Sequence, residues 1–172
     1  MLGDTNAECK RREGRIVKHL YQYKFPIGSL WLAEENGTLT YVGFDEQDQR
    51  IRGYQYGNTP FLKEVAHQLE EYFNGQRKQF QLPLAPQGTD FQQKVWRELQ
   101  AIPYGETRSY KEIAHRIGNP KACRAVGQAN NRNPISIIIP CHRVIGHSGE
   151  LVGYGGGLEI KQFLLELERK YV

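Results

Sequence analysis

A proline-rich passage, Leu82-Pro83-Leu84-Ala85-Pro86-Gln87-Gly88, separates two halves of the chain whose apolar residues repeat at different periods. Ahead of it apolar and aromatic residues come in short runs broken by turn residues, as half-buried strands require. Beyond it they recur every three to four residues, as on helices. This reading predicts a mixed α/β (α+β) chain. Residues 1–82 form a strand-and-helix domain, 83–88 a linker, and 89–172 a mostly helical domain.

In the first half, Arg15–Tyr23, Ser29–Glu34 and Thr38–Phe44 read as strands, rich in Val, Leu, Tyr and Trp. Phe25-Pro26-Ile27-Gly28 and Glu35-Asn36-Gly37 mark the turns between them, and Asn-Gly favours a tight hairpin because both residues tolerate positive φ. A helix follows, with Thr59 as N-cap, Pro60 at its first position and Gly75 as its stop. Phe61, Val65, Leu69 and Phe73 give it one apolar stripe. Nothing in this half has the look of chemistry.

The second half opens with Thr89-Asp90-Phe91-Gln92, a capping box that starts a helix running through Ile102. Ser109-Tyr110-Lys111-Glu112 is a second capping box, and its short helix ends near Gly118. Asn119-Pro120 then introduces a third helix, Lys121 to about Ala129. Two short helices across a tight turn make a helix-turn-helix, a common DNA-docking unit that also occurs in plain helical domains. Charge placement agrees with an anionic partner. Residues 1–88 hold 11 basic and 11 acidic side chains and residues 89–172 hold 12 and 8, so the net charge of +4 arises wholly in the second half.

The cysteines, Cys9, Cys123 and Cys141, are odd in number and far apart, which speaks for free thiols in a reducing cytoplasm rather than a disulfide framework. No stretch reaches the roughly 20 apolar residues of a membrane span. The polar segment Met1 to Arg15 has no apolar core of a secretory signal. Cys9, His19 and His67 are too few for a zinc site in the first half, and no metal or cofactor motif appears elsewhere.

The chemistry concentrates after the third helix. Ile135-Ser136-Ile137-Ile138-Ile139 suits a buried strand and ends in Pro140-Cys141-His142-Arg143. A cysteine there, beside a histidine, is where a reactive thiolate would be expected. Neighbours in an extended chain point opposite ways, so His142 should reach Cys141 through a bridging water, with a carboxylate fixing the imidazole tautomer. The plain alternative is a buried cysteine followed by a solvent-facing histidine.

Phe91-Gln92-Gln93-Lys94-Val95-Trp96, Ile102-Pro103-Tyr104-Gly105-Glu106-Thr107, Tyr110, Arg124-Ala125-Val126-Gly127, Asn130, Asn133-Pro134, Pro140-Cys141-His142-Arg143-Val144 and Gly153-Tyr154-Gly155-Gly156-Gly157 follow one another in order. Together they resemble the O6-alkylguanine-DNA alkyltransferases from about Thr89 to Glu168. The resemblance implies a ribonuclease-H-like first domain and a second domain carrying a helix-turn-helix and an acceptor cysteine. It implies DNA repair by irreversible, single-turnover transfer of an alkyl group from O6-alkylguanine, and from O4-alkylthymine, to Cys141. His142 would be the water-linked base and Glu168 its orienting carboxylate. Asn133 would brace the turn before the site. Tyr110 would meet the DNA backbone and donate a hydrogen bond to the leaving guanine, supported by Lys161.

The same resemblance places Arg124 in the base stack vacated by a flipped nucleotide, on a helix that enters the minor groove. There Ala122, Ala125 and Gly127 would leave the backbone bare enough to approach DNA. Val144, Tyr154, Gly155 and Gly156 would line the substrate pocket, with Gly155 standing where some relatives have serine. Cys123, next to Arg124, would be a second, unspecific alkylation target. The partner implied is double-stranded DNA, without membrane, metal or cofactor, and the protein a cytoplasmic monomer. Two rival readings are a Cys-His hydrolase, which needs an oxyanion hole and direct Cys–His contact, and a non-catalytic helix-turn-helix module.

Overall fold

The computed structural model describes residues 16–172; Arg15, read as the start of the first strand, and Cys9 lie outside them. Strands β1 (Lys18–Phe25), β2 (Gly28–Glu35) and β3 (Thr38–Gly43) form an antiparallel meander. A two-residue strand β4 (Gln55–Tyr56) adds parallel to β1, giving the order β3-β2-β1-β4. β1 runs through Phe25, two residues beyond its expected end, because its ladder closes against Gly28 across a two-residue Pro26-Ile27 loop. The second hairpin has Asn36 at φ 49° and Gly37 at φ 75°, the left-handed pair that tight β-hairpins need.

Helix α1 (Pro60–Phe73) is capped by Thr59 Oγ1, which accepts from the Leu62 amide at 3.2 Å. Past its end Gly75 takes φ 73°, and the Tyr171 ring packs so closely there that a Cβ would fall 2.5 Å from it. The buried face of α1 is Leu62, Val65, Ala66, Leu69, Tyr72 and Phe73. The expected stripe is therefore rotated: Phe61 is only half-buried, and Leu62 and Tyr72 take its place.

In the second half α2 (Asp90–Gln100) and α3 (Tyr110–Arg116) both begin with the expected capping boxes. α2 ends at Gln100, short of Ile102. α4 runs Cys123–Asn131, two residues later than expected, with Ala122 as an N-cap that offers no side-chain bond. The long C-terminal helix is α5 (Leu158–Tyr171). Trp96 Nε1 donates to the Ala129 carbonyl at 2.8 Å and ties α2 to α4. None of these helices is long and apolar enough to cross a membrane.

The two halves share one apolar core, in which Leu30, Leu39 and Leu69 meet Trp96, Ile113, Ile135 and Leu164. The edge of β3 is where they join. The Leu39 amide donates to the Pro83 carbonyl (2.9 Å) and the Ala85 amide to the Leu39 carbonyl (2.8 Å). Residues 83–85, read from the sequence as linker, are thus laid along the sheet. Further along the same edge, the Val42 amide donates to the Pro134 carbonyl and the Ser136 amide to the Val42 carbonyl, both at 2.9 Å. The edge of the small sheet therefore carries the segment that leads to Cys141.

Candidate active site

Ile135–Ile139 is not the strand its composition suggests. Only single bridges form, at Ile135 and between Ser136 and Ile139. The chain instead turns at Ile137, whose φ of 73° is rare for a β-branched residue. The Ile138 amide donates to the Ser136 carbonyl at 2.9 Å around it, a strained γ-turn. Such a conformation costs about 1–3 kcal/mol and persists only where its surroundings impose it.

Asn133 imposes it here. Its Nδ2 donates to the Ile139 carbonyl (2.7 Å) and its Oδ1 accepts from the Ile135 amide (3.0 Å), so one buried side chain clamps both ends of the loop. Pro140 follows at φ −81°, ψ 65°, with the Cys141 amide donating to the Ile139 carbonyl at 2.8 Å. Cys141–Arg143 is then a single 3-10 turn rather than extended chain.

Cys141 is 4% exposed and His142 is fully buried, which removes the solvent-facing alternative for the histidine. His142 Nε2 lies 2.7 Å from Glu168 Oε1. A carboxylate can only accept, so Nε2 carries the proton and Nδ1 is left as a bare acceptor, with no partner among the described residues. Burial pushes the imidazole below its ordinary pKa against the pull of Glu168, so His142 is neutral at pH 7.

Glu168 also accepts from Arg143 Nε (2.9 Å, Oε2) and Nη2 (2.9 Å, Oε1), from the Gly105 amide (3.2 Å) and from Tyr72 Oη (2.7 Å). Burial alone would raise its carboxyl, but the hydrogen bonds from His142 and the paired Arg143 prevail and hold it at about 2. With His142 neutral, Arg143 is the charge that keeps Glu168 ionised. Arg143 Nη1 in turn donates to the Ile102 carbonyl at 2.7 Å.

Two of these partners escaped the sequence. Arg143 was legible only as part of a motif, and Tyr72 lies in the half that seemed free of chemistry. A tyrosine on the buried face of an amphipathic helix was the available signal, since its hydroxyl must find a partner.

Tyr110 and Lys161 meet as expected, but over an unexpected group. Tyr110 Oη (2.8 Å) and Lys161 Nζ (2.9 Å) both donate to the Val152 carbonyl, and the ammonium sits 5.9 Å from the tyrosine ring centre. Burial lowers Lys161 to about 8 and raises Tyr110 to about 12. β5 (Arg108–Ser109) pairs in parallel with β6 (Val144–Ile145), which fixes the start of α3, and so Tyr110, beside the turn that holds Cys141.

Burial also pushes the Cys141 thiol above its ordinary value, while Asn133 and Lys161 pull the other way. The free protein therefore holds a thiol, not the standing thiolate that a neighbouring base suggests.

The thiol opens on a pocket of about 110 Å³ whose lining includes Cys141, Asn130, Ser136, Tyr154, Gly155 and, from the first half, Asp45. Of the four expected pocket residues, Tyr154 and Gly155 line it. Val144 is buried in the core within β6, and Gly156 packs against the Phe44 ring, so close that a Cβ would fall 2.7 Å from it. A larger groove of about 710 Å³ lies elsewhere, along α3, with Arg108, Lys111, His115, Arg116 and His147 among its lining. On α4, Arg124 and Ala125 are exposed, whereas Ala122 and Gly127 are half-buried. Cys123 is half-buried and its Sγ lies 3.8 Å from the Pro120 carbonyl.

Residues 90–170 match the model of the 6-O-methylguanine DNA methyltransferase DNA-binding domain, and residues 16–86 that of its ribonuclease-like domain. A methylated-DNA–protein-cysteine methyltransferase of Methanosarcina acetivorans is 55% identical over 148 residues, covering 85% of this chain and 95% of the relative. The constitutive enzyme of that name from Bacillus subtilis is 51% identical over 150 residues, covering 84% and 91%. The crystal structure of Mycobacterium tuberculosis O6-methylguanine methyltransferase superposes with a TM-score of 0.84 at 47% identity, over 91% of this chain and 95% of that one. The structure of Mycobacterium tuberculosis OGT in complex with DNA gives 0.82 at 50% identity, over 90% and 94%. With both halves matched in order and relatives above half identity along nearly their whole length, the chain belongs to the methylated-DNA–protein-cysteine methyltransferase family.

Proposed function

We propose that the protein repairs DNA by moving an alkyl group from the O6 of guanine onto Cys141, once per molecule. The observation that carries this reading is the 2.7 Å bond between His142 Nε2 and Glu168, which leaves Nδ1 as the acceptor in the turn that holds the thiol. As the alkylated base enters, the Cys141 proton passes through a water to Nδ1. The sulfur then attacks the alkyl carbon, an S–C bond forms, and the C–O bond breaks with its electron pair going to the base. Guanine leaves as it takes up a proton at the ring from water, steadied by a hydrogen bond from Tyr110 once that hydroxyl exchanges the Val152 carbonyl for the base, and the imidazolium gives the Cys141 proton back to water, so that no net proton is consumed. The product is a thioether, which lacks the carbonyl through which an acyl-cysteine is hydrolysed.

The test is intact-mass analysis after incubation with duplex DNA containing O6-methylguanine. One methyl group per chain, mapped to the Cys141 peptide, is the expected end point; continued turnover would favour a hydrolase instead. The same measurement shows whether Cys123 takes up a second group.

DNA is reached through the α3–α4 pair. Arg124 is exposed in the first turn of α4 and makes no hydrogen bond or ion pair among the described residues, so its guanidinium is free to stack where a nucleotide has left. The groove along α3, with its basic lining, suits the DNA backbone. Arg124→Ala should slow transfer from duplex DNA strongly, by about tenfold or more if the side chain replaces the few kcal/mol of stacking lost on extrusion. Transfer from the free base O6-benzylguanine should hardly change. Equal slowing on both would assign Arg124 to the pocket or the fold. A unit loss of salt slope with a normal saturating rate would make it a phosphate anchor.

A further inference from the structure

We propose that Arg50, from the first half of the chain, is a positioning residue for DNA docking: it holds the C-terminal end of α4 and so sets how that helix presents Arg124 to the duplex. This rests on the alkyl-transfer reading and the α3–α4 docking above. Arg50 lies in a single 3-10 turn, Gln49–Ile51, between β3 and β4. Its Nη1 donates to the Arg132 carbonyl at 3.0 Å, across 82 residues of chain. Arg132 is the C-cap of α4 and directly precedes Asn133, the clamp of the acceptor turn. Arg50 is itself firmly held. Its Nε donates to Asp48 Oδ1 at 2.9 Å and its Nη2 to Asp48 Oδ2, while the Tyr41 hydroxyl donates to that same Oδ2 at 3.3 Å. The guanidinium stands 5.2 Å from the centre of the buried Tyr41 ring, and the next residue, Ile51, is buried with Tyr41 and Ala33. One edge of the fork is thus spent on Asp48, and the remaining nitrogen reaches α4, an arrangement that a lysine cannot reproduce.

α4 needs an outside hold. It has nine residues, too few for a helix to be stable alone, and Ala122 gives it no side-chain cap. Its first turn has no acidic residue and its last turn no basic one, so its own sequence leaves the helix dipole unanswered at both ends. The final carbonyls of a helix lack partners within it and carry partial negative charge. Side chains of other elements satisfy two of them here, Trp96 at Ala129 and Arg50 at Arg132. Of the two, Arg50 brings a positive charge and comes from the first half. At about 1.5 Å of rise per residue, Arg124 stands about 12 Å along the axis from Arg132, so a tilt of about 10° at the held end would move it by about 2 Å. Misplacing reacting groups by about 1 Å can cost a hundredfold in rate. Arg50 also borders the thiol pocket, and a free-base substrate separates that role from docking.

Single-turnover transfer should be measured on duplex O6-methylguanine and on free O6-benzylguanine for the wild type, Arg50→Ala and Arg50→Lys, with amide hydrogen exchange followed along α4. In Arg50→Ala the saturating rate on the duplex should fall by about tenfold, while transfer from the free base hardly changes. The salt slope of DNA affinity should stay as in the wild type, and exchange should quicken in residues 128–132 while α2 keeps its protection. Arg50→Lys, which keeps the charge but loses the fork, should fall between the two. Equal slowing on duplex and free base would overturn the proposal and give Arg50 to the pocket. A lower salt slope with a normal saturating rate would overturn it as well, making Arg50 a phosphate contact. If Arg50→Ala does not fold, Asp48→Asn loosens the guanidinium without removing it and should act in the same direction. Unchanged exchange at the end of α4 in the variant that folds overturns the hold. Absence of transfer by the wild type from either substrate would sink the alkyl-transfer reading, and the exchange result would still decide whether Arg50 holds α4.

Discussion

Glu168→Gln should lower the unfolding free energy by about 3 kcal/mol or more, because it strands Arg143 as a buried charge whose carboxylate partner is gone. Arg143 is 6% exposed and Glu168 fully buried, so water cannot replace the lost pair. Equilibrium urea denaturation measures the change, and a loss below about 1 kcal/mol would reduce the pair to the worth of a surface ion pair.

The pH dependence supplies an independent check. Glu168 is held at about 2, against an ordinary value of 4.5. A carboxyl depressed in the folded state contributes stability that is complete above its unfolded value, and that contribution is lost as pH falls through its folded one. The wild type should therefore lose stability from about pH 4.5 down towards 2, and this part of the acid limb should vanish in Glu168→Gln. Transfer should slow as well while DNA affinity changes little, because the imidazole loses the carboxylate that fixes its tautomer.

Cys141→Ser should abolish alkyl transfer while leaving DNA binding intact. A serine hydroxyl is a far poorer nucleophile near neutral pH, and no other side chain in the proposed mechanism can take the alkyl group. In the proposed docking, binding rests on α3 and α4, which the substitution leaves in place. Alkylated duplex in excess, with adduct mass and gel-shift affinity read side by side, tests both halves of the statement. An adduct still formed by Cys141→Ser would move the acceptor elsewhere, with Cys123 the first residue to examine.

In the wild type, burial raises the thiol, so only a small fraction is thiolate at pH 7. Below the thiol pKa that fraction grows tenfold per pH unit. A rate set by that free thiolate would climb with it, but passing the proton to Nδ1 inside the protein leaves the proton count unchanged, so transfer should stay nearly flat through neutrality, and a tenfold rise per pH unit would overturn the relay.

Local signals carried much of this in the sequence. The capping boxes at Thr89 and Ser109, Thr59-Pro60 and Asn36-Gly37 act over three or four residues, so their elements begin where the sequence indicates. The acceptor loop was misread for the opposite reason. Four isoleucines favour a strand by composition, yet Asn133, the bends at Ile137 and Pro140 and the edge of β3 force a compact turn, and no local pattern encodes that combination. Cys141 and His142 came to notice as neighbours at the end of an apolar run, and Glu168 only through resemblance to a family. Tyr72 was missed because its partner lies 96 residues away. The raised thiol was missed because adjacency to histidine says nothing about burial.

The 96 residues that separate Tyr72 from Glu168 also set the order of events during synthesis. The meander and α1 can fold as they leave the ribosome, leaving β3 with a bare edge that must wait for residues 83–85 and then 134–136. Glu168 follows every other member of the relay along the chain, and until it docks against Tyr72, His142 and Arg143 no imidazole is oriented beside the thiol. A nascent or truncated chain thus presents Cys141 without the means to activate it. Under the proposed single-turnover chemistry, a chain armed before α3 and α4 had settled would be spent on free electrophiles. Placing the last strut of the relay after α3 and α4 keeps the thiol unactivated until the fold around it has closed.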